Sequence, residues 1–195
     1  MLYPAIIIAA GFSSRMVEFK PLLDIGGKPA LNRLIDTIRD AGISDVVVVT
    51  GFEKSQIEAA ALYCRTVYNA DYESGMFSSV QAGVRSVKEA DAALLFPADV
   101  PLVSAETILG LIAAYEQGDP ARFAVPVHEG KNGHPLLIPR VYYDEILSYT
   151  GEGGLKGVRS RHDREMLRYK VSDIGCVLDM DTPEDYERIL EHIKR

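Results

Sequence analysis

The chain has 195 residues, 47% of them hydrophobic and 25% charged, a composition that supports one sizeable buried core and shows no sign of disorder. Its formal net charge of -7 argues against a nucleic-acid or anionic-membrane surface, and it would repel a polyphosphate unless cations are concentrated locally. No apolar run approaches membrane-spanning length, and the start MLYPAIII lacks the basic region of a secretory signal, so a cytoplasmic protein is expected. Cys64 and Cys176 lie in apolar contexts with no C-x-x-C or His-bracketed spacing, which reads as two free buried thiols in a reducing compartment.

The first element is the apolar run AIII, Ala5 to Ile8, a strand covered on both faces. It empties into AAGFSSRMVEFK, Ala9 to Lys20, where small residues, two serines and two cations bring the backbone close to something, with phosphate the first candidate. A helix follows in ALNRLIDTIRDAG, with Leu31, Leu34, Ile35 and Ile38 on one face and a stop at Gly42. Strands are then expected at Asp45 to Thr50, Arg65 to Tyr68 and Ala92 to Phe96. A second clear helix, SAETILGLIAAYEQG, opens on Ser104 with Glu106 and Thr107 in its first turn. Phe123 to Val127 reads as a strand, GEGGLKG (Gly151 to Gly157) as a local loop, and GCVLDM (Gly175 to Met180) as a closing strand. The last helix is TPEDYERILEHIK, with Pro183 at its first position after Thr182. Alternation of this kind predicts an α/β fold, a three-layer Rossmann-like architecture with a mainly parallel sheet, as one domain over residues 1–195.

Ligands of such sheets bind at the carboxyl ends of the strands, where the Ala9 to Lys20 loop begins. Gly11 and the serines are placed to offer backbone N–H groups to an anion, with Arg15 and Lys20 supplying charge. The loop is neither a Walker A sequence nor G-x-G-x-x-G, so a dinucleotide fold has no support. An ordinary strand-to-helix turn with solvated cations is the competing reading. In AALLFPADVPLVS, Asp99 follows a buried strand and is flanked by Pro97 and Pro101, a position from which a carboxylate can hold a magnesium ion bridging phosphates. In VLDMDTPEDY, Asp179 and Asp181 alternate along the expected final strand, and one of them could reach the same metal. The alternatives are a turn acid for Asp99 and helix capping for Asp181.

These loops carry a resemblance. AAGFSSRMVEFK is similar to the L-A-A-G-x-S-x-R-M-G-x-x-K signature of nucleotidyltransferases that act on molybdopterin, especially the molybdenum cofactor cytidylyltransferases. IGGKPAL, NADYESGMFSSVQAGV (Asn69 to Val84), PADVPLV, GHPLLIP (Gly133 to Pro139) and DMDTPEDY resemble further segments of the same family, in order along nearly the whole chain. The resemblance implies transfer of CMP from CTP to a phosphate of a molybdopterin-type cofactor, with Mg²⁺ and release of pyrophosphate. By the same resemblance the nucleotide lies against Ala9, Ala10, Gly11 and Ser13, Arg15 and Lys20 neutralise the triphosphate, and Asp99 and Asp181 hold the metal. Ser79, in an S-V-x-x-G pattern, is placed against the pyrimidine edge, and His134 lines the acceptor pocket. A molybdoenzyme receiving the product is a further partner on this reading.

One position departs from the pattern: Val17 stands where the family has glycine, so the loop must run differently if that glycine is needed for close approach. Val17 is also the one residue that speaks for a binding module or carrier without turnover. Sugar- or polyol-phosphate acceptors remain open, since the same loops serve them. Ser79 can also be read as a helix-start serine, His134 as a surface histidine of an edge strand, and Met76 and Phe77 as core. No elbow motif gathers a Ser, a His and an acid into a nucleophilic triad. Related guanylyltransferases carry Gly-Gly where this chain has Ala10-Gly11, which implies a pocket confined toward a pyrimidine. A single methyl discriminates by only about 1–3 kcal/mol, so a polar partner such as Ser79 is required to read the base.

Overall fold

The computed structural model describes residues 3–12, 19–162 and 166–194. Their strands are β1 (Ala5–Ala9), β2 (Val46–Thr50), β3 (Arg65–Tyr68), β4 (Ala92–Pro97), β5 (Ala124–His128), β6 (Lys131–Asn132), β7 (Leu136–Pro139) and β8 (Leu167–Lys170). The helices are α1 (Ala30–Asp40), α2 (Lys54–Ala60), α3 (Met76–Ser86), α4 (Ala105–Glu116), α5 (Tyr143–Ser148), α6 (Gly154–Arg161) and α7 (Pro183–Ile193). One mixed sheet has the order β3-β2-β1-β4-β7-β5-β6, with β8 paired to β5. The expected α/β architecture is present: β3, β2, β1 and β4 are mutually parallel, as are β5 and β8, and β7 runs antiparallel between β4 and β5.

Alternation along the buried strands divides the core into two layers. Ile7, Val48, Leu94 and Phe96 pack with Leu31, Leu34 and Ile38 of α1 and with Ile108 and Leu111 of α4. Ile6, Val47, Val49 and Leu95 pack on the other face with Val80 and Val84 of α3, Ile146 of α5 and Val158 of α6. A small third cluster, Ile25, Ala30, Met180 and Ile189, fastens α7 beside the start of α1. Two helix starts are capped as their sequences suggest. The Ser104 hydroxyl accepts from Thr107 N, and Thr182 and Asp185 cap each other in a reciprocal box behind Pro183.

Several expectations are corrected. GCVLDM is not a strand: Ile174–Val177 form a 3-10 turn, because the Asp173 carboxylate takes the N–H of Gly175 and of Ser104 and the Thr107 hydroxyl. Asp179 and Asp181 therefore do not alternate along a strand. GEGGLKG is not all loop, since α6 begins at Gly154 and buries Val158. His134 does not precede an edge strand: β7 is internal, and its four residues Leu136 to Pro139 are all buried. Met76 is 69% exposed and so is not core, while Phe77 is partly buried against the α3 layer. Both thiols are free; Cys176 is buried, whereas Cys64 is only half-buried.

Gly83 shows how closely α3 lies on the sheet. A Cβ there would stand 2.5 Å from Ile6 Cγ2 and 3.2 Å from Val49 Cγ2, both on central strands. Gly83→Val should therefore lower the unfolding free energy by about 1–3 kcal/mol through overpacking, read as a lower urea midpoint with an unchanged slope. An unchanged midpoint would show that α3 can lift off the sheet at no cost.

Candidate active site

The carboxyl ends of β1 and β4 face the same cavity. It measures about 260 Å³ and is lined by Ile8 to Phe12, by Lys20 and Pro21, by residues of the turn before α3 and its first residues, and by Pro97 to Asp99. Parallel pairing sets β1 against β4 in register through Ile8 and Pro97, so both loops leave the sheet together. Beyond the strands, Ala98 N donates to Ile8 O at 3.1 Å and Phe52 N to Ala10 O at 3.2 Å. The loop at Ala9 to Gly11 is thereby held by its neighbours on both sides, with Ala9 and Ala10 buried and Gly11 exposed.

Gly11 is informative for what does not surround it. A Cβ there would meet no heavy atom within 4 Å, and its φ lies outside the left-handed region. Among the described residues nothing demands a glycine there, and the residue opens onto the cavity. A site where backbone must come within contact of a ligand has this character. Gly75 differs: its φ of 114° requires glycine, and it lets the chain turn sharply into α3 at the cavity wall.

Charge is gathered at one end. Lys20 Nζ donates to Asp181 Oδ1 at 2.7 Å and stands 3.9 Å from Asp99 Oδ2, with the lysine side chain only 12% exposed. Burial is the largest influence on Asp99 and pushes its pKa above the usual carboxylate value; the Lys20 charge opposes this, while Asp181 and Asp179 add to it. Asp179 is raised as well, first by burial and then by Asp181 and Asp185. A backbone bond from Met180 N to Asp99 O at 3.0 Å holds the two acidic segments together. Among the described residues, Lys20 stands nearest to these carboxylates, bonded to Asp181 and close to Asp99. Two hard oxygen donors on one ammonium also match magnesium, which takes one or two protein carboxylates and completes its shell with phosphate and water. Among the described residues no cluster of three or more His, Cys, Asp or Glu side chains has metal-ligand geometry.

Ser79 sits in the wall of the cavity and is 1% exposed. Asn69 Nδ2 donates to Ser79 Oγ at 2.9 Å and to Ser78 Oγ at 2.8 Å, so the serine is oriented by a buried amide rather than by capping a helix. Ser13, Arg15 and Val17 lie outside the described residues. Sequence reasoning missed Tyr72 and Glu73, which line the cavity, and the aromatic group of Phe12, Phe52 and Tyr72 beside it. The NADYESGM stretch carried their signal, since it links β3 to α3 at the carboxyl edge.

His134 is not in this cavity. It lines a second one of about 470 Å³ that shares Ile8, Gly75, Met76 and Pro97 with the first, so the two cavities adjoin across that strip. The His134 pKa is pushed down to about 4, chiefly by burial and further by the Arg159 charge.

Among the described residues, a glycine at a strand end, a shielded lysine between two carboxylates and a second adjoining cavity thus gather at one edge of the sheet. The chain belongs to the MobA-like NTP transferase domain family, which it matches over residues 5–166. It is 25% identical over 184 residues to the molybdenum cofactor cytidylyltransferase of Escherichia coli strain K12, covering 93% of this chain and 92% of that protein. A nucleotidyl transferase of Methanothermobacter superimposes with a TM-score of 0.86 at 23% identity, covering 100% of this chain and 98% of that one. Rv0371C of Mycobacterium tuberculosis H37Rv, in a complex with manganese, superimposes with a TM-score of 0.78 at 24% identity over 98% of this chain and 99% of that one. Membership implies a nucleoside triphosphate and a phosphorylated acceptor as substrates. Among the described residues no helix is long and apolar enough to cross a membrane.

The His134 shift has a sign that can be measured. Between pH 6.5 and about 4 the unfolded chain takes up a proton at this residue that the folded chain refuses, so folding stability falls as pH drops through that window. His134→Gln, neutral throughout, should lose less stability than wild type between pH 7 and pH 5 in urea titrations. Equal losses would mean that the imidazole is solvated.

Proposed function

We propose that the protein transfers CMP from CTP to the phosphate of a molybdopterin-type acceptor and releases pyrophosphate. The observation that supports this reading most directly is Lys20 held between Asp99 and Asp181 at the end of a glycine-bearing loop, at the mouth of a cavity with the polar, oriented Ser79 in its wall. The acceptor assignment leans on the Escherichia coli relative, which aligns over nearly the full length of both chains.

The chain's own residues divide the work. In the transfer an acceptor phosphate oxygen bonds to the α-phosphorus as the bond to the departing pyrophosphate breaks, and no protein nucleophile is needed. The chain's contribution is therefore position and charge. Gly11 admits the nucleotide to the backbone, while Ala10 narrows the base pocket and Ser79, fixed by Asn69, reads the pyrimidine edge. Lys20, with Arg15 by resemblance, neutralises the triphosphate. Asp99 and Asp181 would hold Mg²⁺, whose chemistry is to offset charge on the phosphates and the leaving pyrophosphate. The manganese complex of Rv0371C supports a divalent ion in this fold. The second cavity, reached across Ile8, Gly75, Met76 and Pro97, receives the acceptor.

The test is pyrophosphate release from CTP and from GTP, with magnesium, against molybdopterin and a panel of sugar and polyol phosphates. CTP with molybdopterin should be the productive pair, and preference for GTP or for another acceptor would overturn the assignment. Lys20→Ala should slow turnover by about 10² to 10³, the loss expected when a preorganised charge is removed from a transition state. Asp99→Asn should abolish it. Gly11→Ala should do the same damage to CTP binding while changing stability by less than about 1 kcal/mol, because its methyl meets no atom of the described residues.

A further inference from the structure

The acceptor cavity has a charge pattern of its own. Among the described residues its titratable wall consists of Lys156, Arg159 and His134, with no carboxylate. In a chain of net charge -7, two cations without an acid run against the composition. Much of the remaining wall is apolar, contributed by residues such as Phe77, Val80, Leu95 and Leu136.

Among the described residues Arg159 differs from four arginines that hold carboxylates and from Arg85, which is exposed. Arg65 pairs with Asp45, Arg140 with Glu89, Arg161 with Glu145 and Arg188 with Asp185. The guanidinium of Arg159, half-buried on α6, has no hydrogen bond or ion pair to any described residue. A partly desolvated guanidinium without an anion is unfavourable, and an anion in the cavity relieves it. Lys156 lies three residues earlier on the same helix, so both side chains rise on one face toward the same space. His134, neutral at physiological pH, adds no charge, but its Nδ1 is shielded from solvent and lacks a hydrogen-bond partner. The cavity thus presents two cations and an unpaired polar atom against an apolar wall, and this combination fits a body of low polarity that carries an anionic group.

We propose that Arg159, assisted by Lys156, binds the phosphomonoester of the acceptor and so selects phosphorylated acceptors over their uncharged parents. The proposal rests on the reading of the second cavity as the acceptor site. Neutralising the acceptor phosphate also lowers its repulsion from the nucleotide phosphates across the shared strip, where the described chain offers only Ile8, Gly75, Met76 and Pro97.

Binding can be measured apart from turnover with 4-methylumbelliferyl phosphate, a flat aromatic phosphomonoester, and 4-methylumbelliferone, its parent lacking the phosphate. By calorimetry the wild-type protein should favour the ester by about tenfold or more, the scale of a charge-assisted hydrogen-bonded pair. Arg159→Met should erase most of that preference, Lys156→Met a smaller part, and Arg159→Lys should retain part of it, all with unchanged thermal midpoints and CTP affinity. In turnover with the productive acceptor, Arg159→Met should raise the acceptor KM and leave the CTP KM alone. The proposal falls if wild type does not discriminate between ester and parent, or if Arg159→Met discriminates as wild type does. Should no acceptor support pyrophosphate release, the transferase reading fails by itself, and the calorimetry still decides the role of Arg159.

Discussion

Three segments distant in the chain meet at one ammonium. Lys20 follows the first strand loop, Asp99 the fourth strand and Asp181 the final turn before α7, and the lysine reaches both carboxylates. An exposed ion pair contributes only about 0–1 kcal/mol, and Asp181 is 40% exposed, so the contact does little for stability. Its consequence is positional. Together with the Met180 N to Asp99 O bond, it fixes where the last segment crosses the carboxyl edge of the sheet, and the third hydrophobic cluster then seats α7. Burial first, and the neighbouring carboxylates second, raise Asp179, and burial raises Asp99 against the opposing Lys20 charge. Two carboxylates from separate segments on this edge have the donor chemistry that suits a metal arriving with phosphates.

The site's main anchors were legible because they depend on local rules. A buried strand ending in Ala-Ala-Gly, and another ending in Pro-Ala-Asp-Val-Pro, must place their loops on one rim if the strands are parallel neighbours, and β1 and β4 are. The caps at Ser104 and Thr182 depend on residues three positions apart and were equally readable. Failures came where a distant partner overrode the local pattern. GCVLDM has the apolar character of a strand, but Asp173 draws nearby backbone donors into a turn, and an added Cβ at Gly175 would lie 2.0 Å from Leu102 O, so the turn packs tightly there. The PLLIP strand was seen, yet its place inside the sheet depends on an antiparallel insertion that no short pattern announces.

The acceptor side was less legible for a related reason. Gly151, Gly153 and Gly154 make the segment before α6 read as loop, and the helical spacing of Leu155 and Val158 is too short to outweigh them. With no helix assigned, Lys156 and Arg159 look like two surface cations among many. Only the packing of Val158 into the second core layer turns that face toward the cavity. Ser79 makes the opposite case. Its position in the sequence was evident, but its restraint comes from Asn69, ten residues away, which makes it a fixed polar group.

The distribution of charge across the two cavities follows from the reaction proposed. Two anionic phosphates must approach along one line, so their mutual repulsion has to be offset by positive charge beside that line. The strip common to the cavities is Ile8, Gly75, Met76 and Pro97, with no ionisable side chain, while Lys20 lines the first cavity with Asp99 and Glu73, and Lys156 and Arg159 line the second. Charge placed beside the line of attack lowers repulsion without obstructing it, and the strongly acidic remainder of the chain makes that local placement the more selective. Gly75 serves the same geometry at the backbone level. Its φ of 114° turns the chain into α3 at the strip itself, where an ordinary residue would be strained.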